Sequence, residues 1–210
     1  MPPARQLVAK VYSDAREQSS IVELTRTIIE TKAEEYRTQE PLYLVEQEQI
    51  EGLPGAFESG EFGWRDAEWV VRWYYRRSLG DVPNAERRAA EDRFGQNDFE
   101  MVKRVIGDAT TASDVSERVS RLTTLEGVDV PVASAYLLFI DPTSFIVGGE
   151  RELAVLDAAG QLPDDYPDTF SLEAYETYLE RCRSLTDRLE CDMWTLYRAL
   201  WRLGSELDDI

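Results

Sequence analysis

Histidine is absent from all 210 residues. With it go Ser-His-Asp and Cys-His catalysis, zinc-protease sites and every other function that needs an imidazole. The two cysteines, Cys182 and Cys191, cannot complete a four-ligand zinc or iron–sulfur site within one chain. In a reducing compartment they read as thiols, and no metal or cofactor is implied. No apolar run approaches the ~18 residues that a membrane span requires. Met1-Pro2-Pro3-Ala4 does not start a signal peptide. The expectation is a cytoplasmic protein that does not contact membrane. Strand signals are scarce as well: Phe145-Ile146-Val147 is the one extended candidate, too short to build a sheet.

Lysine is nearly missing too. Only Lys10, Lys32 and Lys103 occur among 23 basic residues, against 41 acidic ones and a net charge of −18. Arginine persisting where lysine is depleted resembles the composition of proteins from salt-in haloarchaea. At molar salt the screening length falls to ~3 Å, so such a charge is tolerated. An ordinary acidic protein, or one with basic partners, is the alternative reading. Under the halophilic reading, acidity says little against nucleic acid as a partner.

What is present reads as helix nearly throughout, with 43% hydrophobic residues to fill a core. Pro2-Pro3 opens an amphipathic stretch carrying Leu7, Val8, Val11 and Tyr12. A second helix is expected from Ser19-Ser20, with Glu23 in its first turn and Ile21, Leu24, Ile28 and Ile29 on one face. A short helix follows Pro41 with Leu42, Val45 and Ile50. Gly52, Pro54, Gly55, Gly60 and Gly63 then mark a boundary between an N-terminal helical extension, 1–60, and a main body, 61–210. Trp64 to Arg77 predicts a helix in which Trp69 and Trp73 are interleaved with Arg72, Arg76 and Arg77. Such a pattern stacks bases and holds phosphates, or fills a core with its arginines on the wet side. Helices are further expected near 85–94, 98–106, 150–158 and 172–189, and from Asp192 as N-cap. The fold class is all-α.

The most informative segment runs from Leu122 to Tyr136. A polar helix from Ser113 ends in a tight turn at Leu125-Glu126-Gly127-Val128-Asp129, and a helix rich in small residues starts at once. Gly127 permits positive φ, Leu125 and Val128 plug the hairpin, and Ala133 lets the helices approach. These residues resemble the helix-hairpin-helix element of DNA glycosylases, whose signature reads roughly L-P-G-V-G-x-x-x-A. Asp141-Pro142-Thr143-Ser144-Phe145-Ile146-Val147 and Arg151-Glu152-Leu153 are similar to the segment that follows the hairpin in that superfamily. Tyr178 to Arg183 and Leu196 to Trp201 are similar to a bacterial branch with this fold. The resemblance covers about residues 64–207.

The resemblance implies a multi-helix glycosylase-like domain, with DNA held by Gly127, Val128, Asp129, Val130 and Arg151 through amides at a helix N-terminus. A flipped base would need an aromatic pocket, for which Trp69, Trp73 and Tyr136 are the candidates. Three departures bear on chemistry. The position of the superfamily's catalytic aspartate holds Gly149; adjacent Glu150 is either a substitute carboxylate or a first-turn acid favouring the helix dipole. The Schiff-base lysine of bifunctional members is replaced by Pro131, which removes that lyase route. The second hairpin glycine is Asp129, whose carboxylate is placed to cap the following helix. The expected function is a DNA-binding helix-hairpin-helix protein of DNA-repair type with degenerate or absent monofunctional glycosylase activity. The alternative is a non-catalytic scaffold for a protein partner.

Overall fold

The computed structural model describes residues 22–77, 83–167 and 169–208. These form α1 (Arg26–Gln39), α2 (Tyr43–Ser59), α3 (Trp64–Arg76), α4 (Asn84–Phe94) and α5 (Phe99–Thr111). They continue as α6 (Val115–Leu122), α7 (Val130–Ile140), α8 (Glu150–Ala158), α9 (Leu172–Leu189) and α10 (Met193–Asp208). No strand occurs among the described residues, so the all-α expectation holds. The amphipathic stretch with Leu7, Val8, Val11 and Tyr12 lies outside them. No described helix is long and apolar enough to cross a membrane.

Helix α7 is the axis of the packing. Every side chain from Val132 to Ile140 is buried, and α2, α3, α6 and α9 pack around it. A helix apolar on all sides needs neighbours on all sides. On the far side of α3, α10 lies along α1 and α8. Tyr36 of α1 meets Tyr197 edge-on at 5.9 Å and Trp194 at 6.5 Å, binding the two helices through aromatic contact. The extended segment before α8 is also buried. Its polar backbone is satisfied by side chains: Tyr175 and Tyr178 hydroxyls donate to the Ile146 and Val147 carbonyls at 3.2 and 2.9 Å, and Gly148 N–H donates to Ser134 Oγ at 3.0 Å.

Two expectations change. The helix expected from Ser19-Ser20 starts at Arg26, because Thr25 is the residue that caps it, accepting the Ile28 N–H at 3.3 Å. Glu23 and Leu24 therefore precede the helix. Gly52, Pro54 and Gly55, which mark the expected boundary, lie inside α2. The buried stripe of Glu46, Ile50, Leu53 and Phe57 holds α2 helical against its poor local propensity, and it joins the same core as α3 and α7.

Among the described residues, the buried charged side chains are Glu46, Arg77 and Glu152; the other acids are partly or fully exposed. Both cysteines are free thiols, Cys182 buried and Cys191 half-buried.

Candidate nucleic-acid interface

The connection between α6 and α7 is a tight hairpin. Leu125 N–H bonds back to the Leu122 carbonyl at 3.1 Å, and Val128 N–H to the Leu125 carbonyl at 3.2 Å. These turns drive the Leu125 and Val128 side chains into the core. Gly127 has φ +79°, and a Cβ there would stand 2.7 Å from Ala90 O and Phe94 N of α4. Glycine is therefore required twice over, by backbone conformation and by contact with a neighbouring backbone. Asn97, in the α4–α5 connection, clamps the hairpin from outside. Its Nδ2 donates to the Glu126 and Phe94 carbonyls at 3.0 and 2.8 Å, and its Oδ1 accepts the Glu126 N–H at 2.9 Å. Asn97 reads in the sequence only as a turn residue; its partner across the gap is 29 positions away.

The start of α7 faces solvent at Asp129 and is half-buried at Val130. Asp129 Oδ1 accepts the Val132 N–H at 3.1 Å, so the carboxylate caps the helix. Pro131 has no N–H to offer. Of the first three α7 residues, Val130 keeps the remaining donor for an anion. Arg151 stands apart from this group. Its guanidinium lies 4.4 Å from the Trp201 ring centroid, on the side of α8 that packs against α10.

Of the aromatic candidates, Trp73 and Tyr136 sit in the core and Trp69 is half-buried against it. Tyr136 is fully buried and donates to the Ala67 carbonyl at 2.7 Å. Trp69 and Trp73 are brought together, stacked at 6.1 Å with an interplanar angle of 18°, and both meet the Phe139 ring edge-on. Trp73 Nε1 donates to Glu46 Oε1 at 2.7 Å, and the Tyr36 hydroxyl donates to Glu46 Oε2 at 2.7 Å. Burial pushes the Glu46 carboxyl above its ordinary range, against these two donors. Of the interleaved arginines, Arg72 pairs with Glu68 and Arg76 with Glu91.

Gly149 is the N-cap of α8 and is buried, whereas Glu150 beside it is exposed. A Cβ at Gly149 would overlap Arg77 Nη2 and come within 2.8 Å of Glu152 Oε2. Arg77, which closes α3, is 5% exposed, and its Nη1 meets Glu152 Oε1 at 2.6 Å. Its guanidinium carbon lies 4.8 Å from the Tyr74 ring centroid and 4.9 Å from that of Trp201, with Trp73 and Tyr197 within 6 Å. Cation–π contact with these rings and the carboxylate of Glu152 together hold a charge that would otherwise be costly to bury. The volume a side chain at 149 would need is filled by a residue 72 positions earlier in the chain. Glu152 and Arg77 each fall in a segment that the sequence singles out, but nothing in it marks the two as a pair.

A comparison with protein-family models, curated proteins and solved structures finds no match to this chain.

Proposed function

We propose that this chain is a helix-hairpin-helix protein of glycosylase-like type that binds the backbone of duplex DNA without cleaving a base–sugar bond. The observation that carries the binding half is the hairpin. A glycine at φ +79° between the buried Leu125 and Val128 leads directly into the exposed N-terminus of α7. Helix N-termini of this kind attract phosphate through the dipole and unpaired N–H groups. Gly149 supports the non-catalytic half: it supplies no carboxylate, and Arg77 and Glu152 occupy the space where one would stand. Pro131 supplies no amine, so no imine with an abasic site forms there, and borohydride should trap no covalent complex.

Asp129 decides the strength of binding, because it holds the Val132 N–H that a phosphate would use and adds a like charge. Asp129→Asn removes the charge but keeps a cap. Asp129→Gly removes both, at a cost of only a few tenths of a kcal/mol. Affinity for duplex DNA should therefore rise from parent to Asp129→Asn to Asp129→Gly. It is measured at high salt, where an acidic protein of this charge stays folded. The second reading, a scaffold for a protein partner, is favoured by the same cap, since in the parent the Val132 N–H is already taken and a carboxylate stands at the helix start. If all three proteins are folded and none binds DNA, the scaffold reading replaces the first.

A further inference from the structure

At the end of α7 opposite the hairpin, the C-terminal ends of α2, α5 and α7 converge with α6 on a cleft of about 310 Å3. That volume is at the lower end of small-molecule sites, roughly 300–1,000 Å3. Pro54 and Ile140 supply its apolar surface. Its polar lining is Glu58, Thr110, Thr111, Arg118 and Asp141, and these groups divide sharply into one donor and several acceptors.

Arg118 is the donor. Its guanidinium carbon lies 5.3 Å from the Phe145 ring centroid, and that ring also contacts Arg183, which is tied to the Ser144 carbonyl at 3.1 Å. Arg118 makes no ion pair among the described residues. Arg121, three residues along the same helix, meets both Glu117 and Asp108. Arg183 on the same ring also lacks a carboxylate partner among the described residues, but its guanidinium is tied to the Ser144 carbonyl, and of the two only Arg118 lines the cleft.

The rest of the lining accepts. The Thr110 hydroxyl proton is given to the Gly107 carbonyl at 2.7 Å, and the Thr111 hydroxyl proton to the Gly107 or Asp108 carbonyl, so both oxygens retain only lone pairs for a ligand. Asp141 Oδ1 accepts from Thr143 N, Thr143 Oγ1 and Ser144 N. Although burial opposes it, these bonds hold the carboxyl below its usual range, and Oδ2 takes no part in them. The Glu58 side chain makes no hydrogen bond or ion pair among the described residues. Neither acid lies within ion-pair distance of Arg118. Three helix C-termini add partial negative charge on the acceptor side.

We propose that this cleft binds a small zwitterion of the α-amino acid type, its carboxylate taken by Arg118 and its ammonium by Glu58 and Asp141, with a neutral side chain against Pro54 and Ile140. The ligand completes two charge pairs that the protein leaves open, each a charge-assisted hydrogen bond of the stronger kind. A simple anion would leave the two acids facing it, and a simple cation would face Arg118. The assignment is independent of DNA binding.

The test is calorimetric titration of the full chain, at a salt concentration giving full helical circular dichroism, with glycine, L-leucine and L-phenylalanine. The half-ligands 3-methylbutylamine and 4-methylpentanoate serve as comparisons. At least one amino acid should bind saturably and more tightly than either half-ligand. Arg118→Met and Glu58→Gln should each weaken it about tenfold or more. Glu58 is exposed, so its variant keeps the fold intact even if Arg118→Met does not. No saturable heat with any of the three at millimolar concentration overturns the proposal. So does a half-ligand that binds as tightly as the amino acid, or unchanged affinity in Glu58→Gln.

Discussion

Gly127 and Gly149 both lie in connections that lead into a helix, and both are positions where a side chain would collide with the protein, yet for different reasons. At Gly127 the obstacle is backbone, the carbonyl of Ala90 and the amide of Phe94, together with a positive φ. At Gly149 the backbone is extended, at φ −162°, and the obstacle is a guanidinium brought in from another helix. The first glycine shapes a surface; the second makes room for a buried ion pair. A glycine that shapes a turn announces itself in the local sequence, whereas a glycine that yields its volume to a distant side chain does not.

The largest effect should come from placing a carboxylate at the second glycine. Gly149→Asp adds a third charge to the Arg77–Glu152 pair and overlaps the guanidinium. The loss should be about 4 kcal/mol or more, or failure to fold, read by denaturant unfolding in high salt. A Gly149→Asp protein with parental stability would show that Arg77 leaves this space readily. Next, Arg77→Met strands Glu152 in the core at a cost of about 3–5 kcal/mol. The double variant Arg77→Met/Glu152→Met should regain most of that, since removing both charges leaves only a packing difference. If the double variant is as unstable as Arg77→Met alone, the cost lies in the aromatic cage around Arg77 instead of the unpaired acid.

A smaller loss is expected at the first glycine. Gly127→Ala strains a positive φ and presses on α4 backbone that cannot rotate away, for about 2–3 kcal/mol. The order of these losses tests the comparison directly: the buried pair should be less forgiving than the turn.

Legibility followed the same division. The caps at Asp129 and Asp192 are readable because each bonds an amide three residues ahead. The bounds of α8 and α9 matched for the same local reason, a periodic apolar face between clear stops. The start of α1 is not legible because Ser19, Ser20 and Thr25 are all residue types that cap a helix, and it is the Thr25 side chain that takes the Ile28 N–H. The glycines of α2 read as a boundary because propensity is local and burial is not. At the candidate interface, the hairpin turn was legible from Leu125, Gly127 and Val128. Arg77 was read only as one arginine among aromatics, and its ion pair to Glu152 spans 75 positions. Asn97 is the same kind of omission, a side chain whose work is done on a carbonyl and an amide of Glu126.

The smallest effect separates what Asp129 does for the fold from what it does at the surface. Its carboxylate satisfies one amide of α7 and is exposed, so its loss leaves an N–H that water can reach. Asp129→Ala should cost about 1 kcal/mol, the ordinary value of a cap, and Asp129→Asn close to nothing, because the amide oxygen accepts the same N–H. Both are read as melting shifts in high salt. The hairpin is held mainly by Leu125, Val128 and the contacts of Gly127 and Asn97, so neither variant should alter the helical signal. A loss at Asp129→Asn as large as at Asp129→Ala would mean that the negative charge itself, through the α7 dipole, stabilises the helix start. Phosphate would then replace Asp129 with little change in stability, and the rise in DNA affinity from parent to Asp129→Gly would be correspondingly small.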